Sequence, residues 1–183
     1  MKLGGIGGGN TKTGLVFEGE ADFLTLIGNV PGYLVKKVEI GYDLFFNNSV
    51  VAHTYKKHDL YRFLDSVGVQ WDKIISKKLL PDDAIYVIKE NTIFIIEIKY
   101  QGVEGSVDEK LQTCDFKKKQ YQKIFSELNY EVEYIYILSD WFRKDKYRDV
   151  LDYIISVDCK YYFEYLPLHK IGLPVHINGE TTG

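Results

Sequence analysis

PDDAIYVIKENTIFIIEIKYQ, from Pro81 to Gln101, is the stretch whose reading decides the fold. Two runs rich in Ile, Val, Tyr and Phe flank the polar residues Lys89-Glu90-Asn91, the pattern of a β-hairpin. In the second run Glu97, Lys99 and Gln101 stand two apart and project from one face of the strand. Folding the hairpin on itself brings Asp82 or Asp83 beside Glu97. Two or three carboxylates and one ammonium then meet at the open end of an apolar ribbon.

Carboxylates that close repel, and burial beside Ile95, Ile96 and Ile98 makes the repulsion worse. A divalent cation between them makes sense of the cluster. Mg²⁺ favours such a set, with one or two carboxylate oxygens, a backbone carbonyl, and waters left for a substrate phosphate. Lys99 beside that ion could orient or deprotonate a water, or hold the scissile phosphate. This is equipment for metal-assisted phosphodiester hydrolysis. The plainer reading is a salt-bridged hairpin end with no chemistry.

Pro81-Asp82, a gap, and then Glu97-Ile98-Lys99 resembles the signature of the PD-(D/E)xK nucleases, carried on the hairpin that family uses. A bare Glu-x-Lys is weak, because amphipathic strands often space Glu and Lys this way. Pro-Asp opening one strand and Glu-x-Lys ending its partner is more specific. Two further segments, GGGNTKTGLVFEGEADFL and GSVDEKLQTCDFKKKQY, resemble parts of small type II restriction endonucleases of this group. The resemblance spans roughly residues 10–175.

Length and composition agree with a folded enzyme of modest size. The chain has 183 residues, 45% of them hydrophobic and 27% charged, which suits a single globular domain with a substantial core. The expectation is one nuclease domain over residues 1–183, preceded by a flexible glycine-rich arm at 1–10. No apolar run reaches transmembrane length and MKLGGIGGGN lacks a signal-peptide core, so a cytoplasmic protein away from membranes is expected. Cys114 and Cys159 then read as reduced structural thiols. The cysteines and the four histidines lack zinc-ligand spacing.

The net charge of −3 argues mildly against a general nucleic-acid coating protein but leaves a nuclease open, since binding depends on the local patch. Basic groups occur at Lys36-Lys37, Lys56-Lys57-His58, Lys77-Lys78, Lys117-Lys118-Lys119 and Arg143 to Arg148. Each alone reads as a solvated face. The glycine-rich start is not a phosphate loop, because Lys12-Thr13 follows Thr11 and no strand precedes it.

In chain order, a helix is expected from Thr13 to about Ile27, stopped at Gly28-Asn29. YLVKKVEI and YDLFF read as strands or a strand with a bulge, SVVAHTY as another strand, HDLYRFLDSVG as an amphipathic helix, and WDKIISKKLL as a helical turn or two. After the hairpin, Ser106 and Glu109 fit a capping box that opens a helix to about Leu128, with Lys117 to Lys119 leaving toward solvent or phosphate. EVEYIYILSD is a doubly covered strand, WFRKDKYRDVLDYIISV a helix, and KYYFEYLPLHKIGL a last strand or two before a frayed tail, VHINGETTG. The fold expected is α/β: a mixed central sheet with flanking helices, the restriction-endonuclease-like αββαβ core.

The resemblance implies specific roles. Asp82 and Glu97 would bind Mg²⁺ (Mn²⁺ substituting), with the carbonyl of Ile98 as a third ligand and Lys99 activating water. Glu18 on the first helix would complete the acidic cluster, Glu20 being the alternative, and Asp83 competes with Asp82 for the metal. The implied activity is sequence-specific cleavage of double-stranded DNA to 5′-phosphate ends by a homodimer, with a companion methyltransferase acting on the same site. The alternatives are a junction resolvase, a mismatch or repair nuclease, an RNA-directed relative, or a non-catalytic DNA-binding subunit of the same fold.

Overall fold

A computed structural model describes residues 13–17, 22–101, 107–177 and 180–182. The chain enters through β1 (Gly14–Val16) and α1 (Phe23–Gly28), and then runs down β2 (Tyr33–Lys37), up β3 (Tyr42–Phe46) and down β4 (Ser49–Tyr55). Two helices, α2 (His58–Ser66) and α3 (Trp71–Ile74), lead to the hairpin of β5 (Asp83–Val87) and β6 (Thr92–Lys99). Helices α4 (Val107–Leu111) and α5 (Cys114–Ser126) cross over to β7 (Glu131–Leu138), and α6 (Arg148–Ser156) crosses to β8 (Lys160–Phe163). Short strands β9 (Tyr165–Pro167), β10 (Val175–Ile177) and β11 (Glu180–Thr182) finish the chain.

Strands β2 to β8 form one seven-stranded sheet in sequence order. The meander from β2 to β6 is antiparallel, whereas β6, β7 and β8 are parallel. Short turns join β2 to β3, β3 to β4 and β5 to β6, β4 and β5 are antiparallel with α2 and α3 between them, and helical crossovers return the chain in the parallel sense at β7 and β8. The sheet is therefore mixed and flanked by helices, as the order of elements predicts.

Alternation along the strands splits the core in two. Ile93 and Ile95 of β6, with Val132, Tyr134, Tyr136 and Leu138 of β7, pack against α2, α5 and α6. Phe94 and Ile96, with Ile135 and Ile137, pack on the opposite face against β1, α1 and the segment around Leu168 to Val175. Thr92 to Glu97 are buried without interruption, as expected of a strand covered on both faces.

Several local expectations are corrected. The helix expected from Thr13 begins only at Phe23; Gly14–Val16 is instead a strand paired antiparallel with β9. Asp22 sets the helix start, because its carboxylate accepts from Thr25 N at 3.1 Å and from Thr25 Oγ1 at 3.0 Å. The helix expected to run to Leu128 is broken at Gln112-Thr113 into α4 and α5. Its proposed cap, Ser106, lies outside the described residues, as does the glycine-rich arm at 1–10. Residues Asp140–Arg143 and Asp145–Tyr147 form 3₁₀ turns, so the following helix starts only at Arg148. In the tail expected to fray, Val175–Ile177 pairs antiparallel with Glu180–Thr182.

Gly41 joins β2 to β3 with φ of +78°. A Cβ there would overlap the carbonyl oxygen of Thr54 on β4, and that backbone oxygen has no room to yield. Gly41→Ala should lower unfolding stability by about 1–3 kcal/mol in urea titrations with an unchanged m-value. A stability equal to wild type would refute this account of the turn.

Candidate active site

The hairpin register decides which side chains meet. Asp83 pairs with Ile96, so Asp82 lies opposite Glu97 just before the β5 ladder begins. Directly opposed residues share a face. Asp82, Glu97 and Lys99 therefore lie on the α5 side of the sheet, at the carboxyl end of β6, where the parallel strands β6 and β7 terminate. Open α/β sheets bind ligands outside such carboxyl ends.

The approach to Asp82 is held by backbone contacts. Tyr61 OH donates to Leu79 O at 2.9 Å and accepts from Leu79 N at 2.6 Å, while Tyr121 OH donates to the same carbonyl at 3.2 Å. Lys57 N donates to Pro81 O at 3.3 Å from a residue held at φ 46°, ψ −110°. Oδ2 of Asp82 then accepts from Ile98 N at 2.9 Å. Lys99 O faces β7, where it accepts from Ser139 N at 3.1 Å. Backbone groups alternate in direction along a strand, so the Ile98 carbonyl faces β5 and Asp82, on the same edge as its N–H. Beyond Lys99, Ser139 Oγ accepts from Gln101 N at 3.2 Å and donates to Gln101 O at 3.0 Å, which ties the two strand ends together.

Glu97 is the most heavily bonded group of the set. Lys99 Nζ lies 2.7 Å from Oε2, and Lys117 Nζ lies 2.7 Å from Oε1, which also accepts from Tyr134 OH. Burial pushes this carboxyl up, but the ammonium groups of Lys99 and Lys117 outweigh burial and hold it below its ordinary value. The phenol of Tyr134 is pushed well up, first by burial and then by the Glu97 charge, so it acts as a hydrogen-bond donor. Tyr121 is raised chiefly by burial, then by Tyr61, Glu97 and Asp82; it senses both carboxylates.

Asp83 sits on the other face and is buried. Lys56 Nζ stands 4.0 Å from its Oδ1, which has no hydrogen-bond partner among the described residues, and 3.0 Å from Asp22 Oδ1. Of the two aspartates that the sequence leaves in competition, the sheet thus brings Asp82 to Glu97 and sends Asp83 to Lys56. Glu18 and Glu20 lie outside the described residues. His53 is paired with Asp43 at 2.7 Å and stacks over Tyr86, so it is part of the sheet surface rather than of this cluster.

Sequence reading did not single out Lys117 or Tyr134. The three lysines expected to leave together diverge: Lys117 reaches Glu97, buried Lys118 donates to the carbonyl and carboxylate of Asp158, and Lys119 pairs with Asp115 at 2.8 Å. A signal was present, because Lys117 precedes inward-facing Tyr121 by four residues and follows Cys114 by three.

The donor set suits Mg²⁺. Asp82 and Glu97 supply hard oxygens, the Ile98 carbonyl adds a third on the same edge, and Asp82 and Lys99 are only half-buried, which leaves room for water and substrate. No cluster of three or more His, Cys, Asp or Glu side chains with metal-binding geometry occurs among the described residues.

Burial raises the Asp83 carboxyl to about 7, against the opposing pull of Lys56. Between the ordinary value of 3.8 and about 7 the folded protein keeps a proton that the unfolded chain releases. Stability from this group is full below that window and is lost as pH rises through it. Relative to Asp83→Asn, wild-type stability should fall between pH 4 and pH 8 with a slope of up to about 1.4 kcal/mol per pH unit. Parallel stability curves for the two proteins would contradict this assignment.

Comparison with known proteins is consistent with this geometry. The family model described as the PD-(D/E)XK nuclease superfamily domain matches residues 42–124, from β3 through most of α5. No curated protein matches the chain, and no solved structure does. The match contains the β5–β6 hairpin, Asp82, Glu97, Lys99 and Lys117, and the mixed sheet around them has the architecture expected of that superfamily. Over residues 42–124 the chain is thus similar to the PD-(D/E)XK nuclease superfamily domain.

Proposed function

We propose that the protein is a Mg²⁺-dependent type II restriction endonuclease, with residues 1–183 forming one nuclease domain that cuts double-stranded DNA at a fixed sequence. The observation that carries this reading is the meeting of Asp82, Glu97 and Lys99 at the carboxyl end of β6, inside a nuclease superfamily domain. Asp82 and Glu97 would hold the ion, with the Ile98 carbonyl beside them, and Glu18 is assigned to complete the acidic set. When bound, Mg²⁺ polarises the phosphoryl oxygens and makes a bound water more acidic.

Lys99 orients the attacking water toward phosphorus. The water oxygen bonds to phosphorus as the bond to the 3′ oxygen breaks, so the products are a 5′-phosphate and a 3′-hydroxyl. The apolar residues behind the cluster, Ile95 and Tyr134 among them, limit water on the sheet side and strengthen charge interactions there. One such centre cuts one strand, so a palindromic site calls for a twofold homodimer whose symmetry mirrors the DNA. A methyltransferase of the same specificity would protect the host DNA.

The test is incubation with unmethylated phage DNA in Mg²⁺ and in EDTA, beside Lys99→Ala and Glu97→Gln proteins. Discrete Mg²⁺-dependent fragments that either substitution reduces by at least about a hundredfold are expected. A smear would replace the restriction reading with that of a nonspecific or repair nuclease. Cleavage of branched DNA alone would replace it with that of a junction resolvase. Full activity in Glu97→Gln would refute the site.

A further inference from the structure

Glu97 carries one ammonium group on each oxygen, and the two come from different elements. Lys99 follows Glu97 on the same strand, whereas Lys117 reaches across from α5 to Oε1. Both lysine side chains stay partly open to solvent, at 20% and 25% exposure, although the carboxylate between them is at 7%. The next lysine on α5, Lys118, is buried and committed to Asp158. Lys117 is thus an ammonium on a long flexible stem, resting on a carboxylate at the rim of the site.

Among the described residues the formal charges of the cluster cancel: Asp82 and Glu97 contribute −2, and Lys99 and Lys117 contribute +2. A divalent cation adds two positive charges, which favours an anionic substrate there. An ion held by Asp82 and Glu97 would contend with these ammonium groups for the Glu97 carboxylate. Resting on the metal-dependent nuclease reading above, we propose that Lys117 is a substrate-binding residue held in reserve. It neutralises Glu97 until a divalent cation takes the carboxylate, and the freed ammonium then binds a phosphate of the nucleic acid.

This arrangement couples metal loading to substrate binding through a side chain that can occupy one place or the other, and such coupling is reciprocal. It also keeps the buried carboxylate paired before metal arrives, which an unpaired Glu97 would not be.

The experiment has two readouts besides cleavage. Mg²⁺ is titrated by calorimetry into DNA-free wild type, Lys117→Met and Lys119→Met. Binding of a short duplex is followed by fluorescence anisotropy across a salt series, in Mg²⁺ and in EDTA, with each variant in a Lys99→Ala background that leaves the DNA intact. Removing the competing ammonium should tighten Mg²⁺ by roughly tenfold. With Mg²⁺ present, Lys117→Met should bind duplex about tenfold more weakly, with a log–log salt slope smaller by about 1. In EDTA it should bind as the parent does. Lys117→Arg should keep the Mg²⁺-dependent duplex affinity, and Lys119→Met should change nothing.

Unchanged or weakened Mg²⁺ binding in Lys117→Met would overturn the proposal, as would an equal loss of duplex affinity in Mg²⁺ and in EDTA. Lys117→Gln serves the same comparison if the Met protein fails to fold. Wild type that cuts DNA with Mg²⁺ while Lys117→Met matches Lys119→Met sinks this inference alone. Wild type that neither binds Mg²⁺ nor cuts DNA sinks the metal-nuclease reading, and this inference with it.

Discussion

Glu97 is a buried charge near the end of an otherwise apolar strand, and much of the structure answers to that fact. A carboxylate removed from water costs several kcal/mol unless cations and hydrogen bonds compensate it. Here the compensation comes from three elements: Lys99 from β6, Lys117 from α5, and Tyr134 from β7. The crossover that makes β6 and β7 parallel therefore does more than close the sheet. It lays α5 over β7, next to the strand that carries Glu97, so that a helical lysine can reach it. An apolar residue at 97 would ease burial, but the cluster would then lose one of its two carboxylates. The retained charge is what makes this edge a candidate catalytic centre rather than plain core.

The second constraint is placement of Asp82, which lies outside the hydrogen-bonded ladder and gains its position from other contacts. The two tyrosine hydroxyls on Leu79 hold the chain just ahead of Pro81, and Ile98 N holds the carboxylate itself. Lys57 contributes a further backbone bond to Pro81 from a conformation unusual for a residue with a Cβ. Non-glycine residues hold such conformations only where the surrounding structure over-determines them, and they cluster near functional sites. The alternation of the strand then separates neighbours completely: Asp82 enters the cluster with Glu97, while Asp83 goes into the opposite core layer beside Lys56 and α1.

The overall charge of −3 gives no hint of this local balance. Within the cluster two carboxylates face two ammonium groups, and the three consecutive lysines of α5 have three different partners. Surface pairs such as Lys119–Asp115 are worth little, whereas those on Glu97 act where water is scarce and lose more when broken. Charge counted along the sequence thus says less about ligand binding than charge counted at one edge of the sheet.

The hairpin, its alternating faces and the meeting of Asp82 or Asp83 with Glu97 and Lys99 were legible in the sequence, because strand period and turn chemistry are local properties that a few residues express. The strands of the meander and the helix starting at His58 were legible for the same reason. Tertiary structure overruled the local pattern at the N-terminus, where Leu15 is buried in a strand that pairs with residues about 150 positions away and Phe17 is buried just after it. It likewise split the helix after the hairpin and paired the tail, since those outcomes depend on what each segment packs against. The choice between Asp82 and Asp83 needed the register of β5 on β6, because a shift by one residue exchanges the faces. Lys117 and Tyr134 joined the site only through the parallel crossover. Sequence determined which groups of the hairpin could do chemistry; long-range pairing decided which aspartate and which further lysine stand beside them, because those distances are set by contacts between segments far apart in the chain.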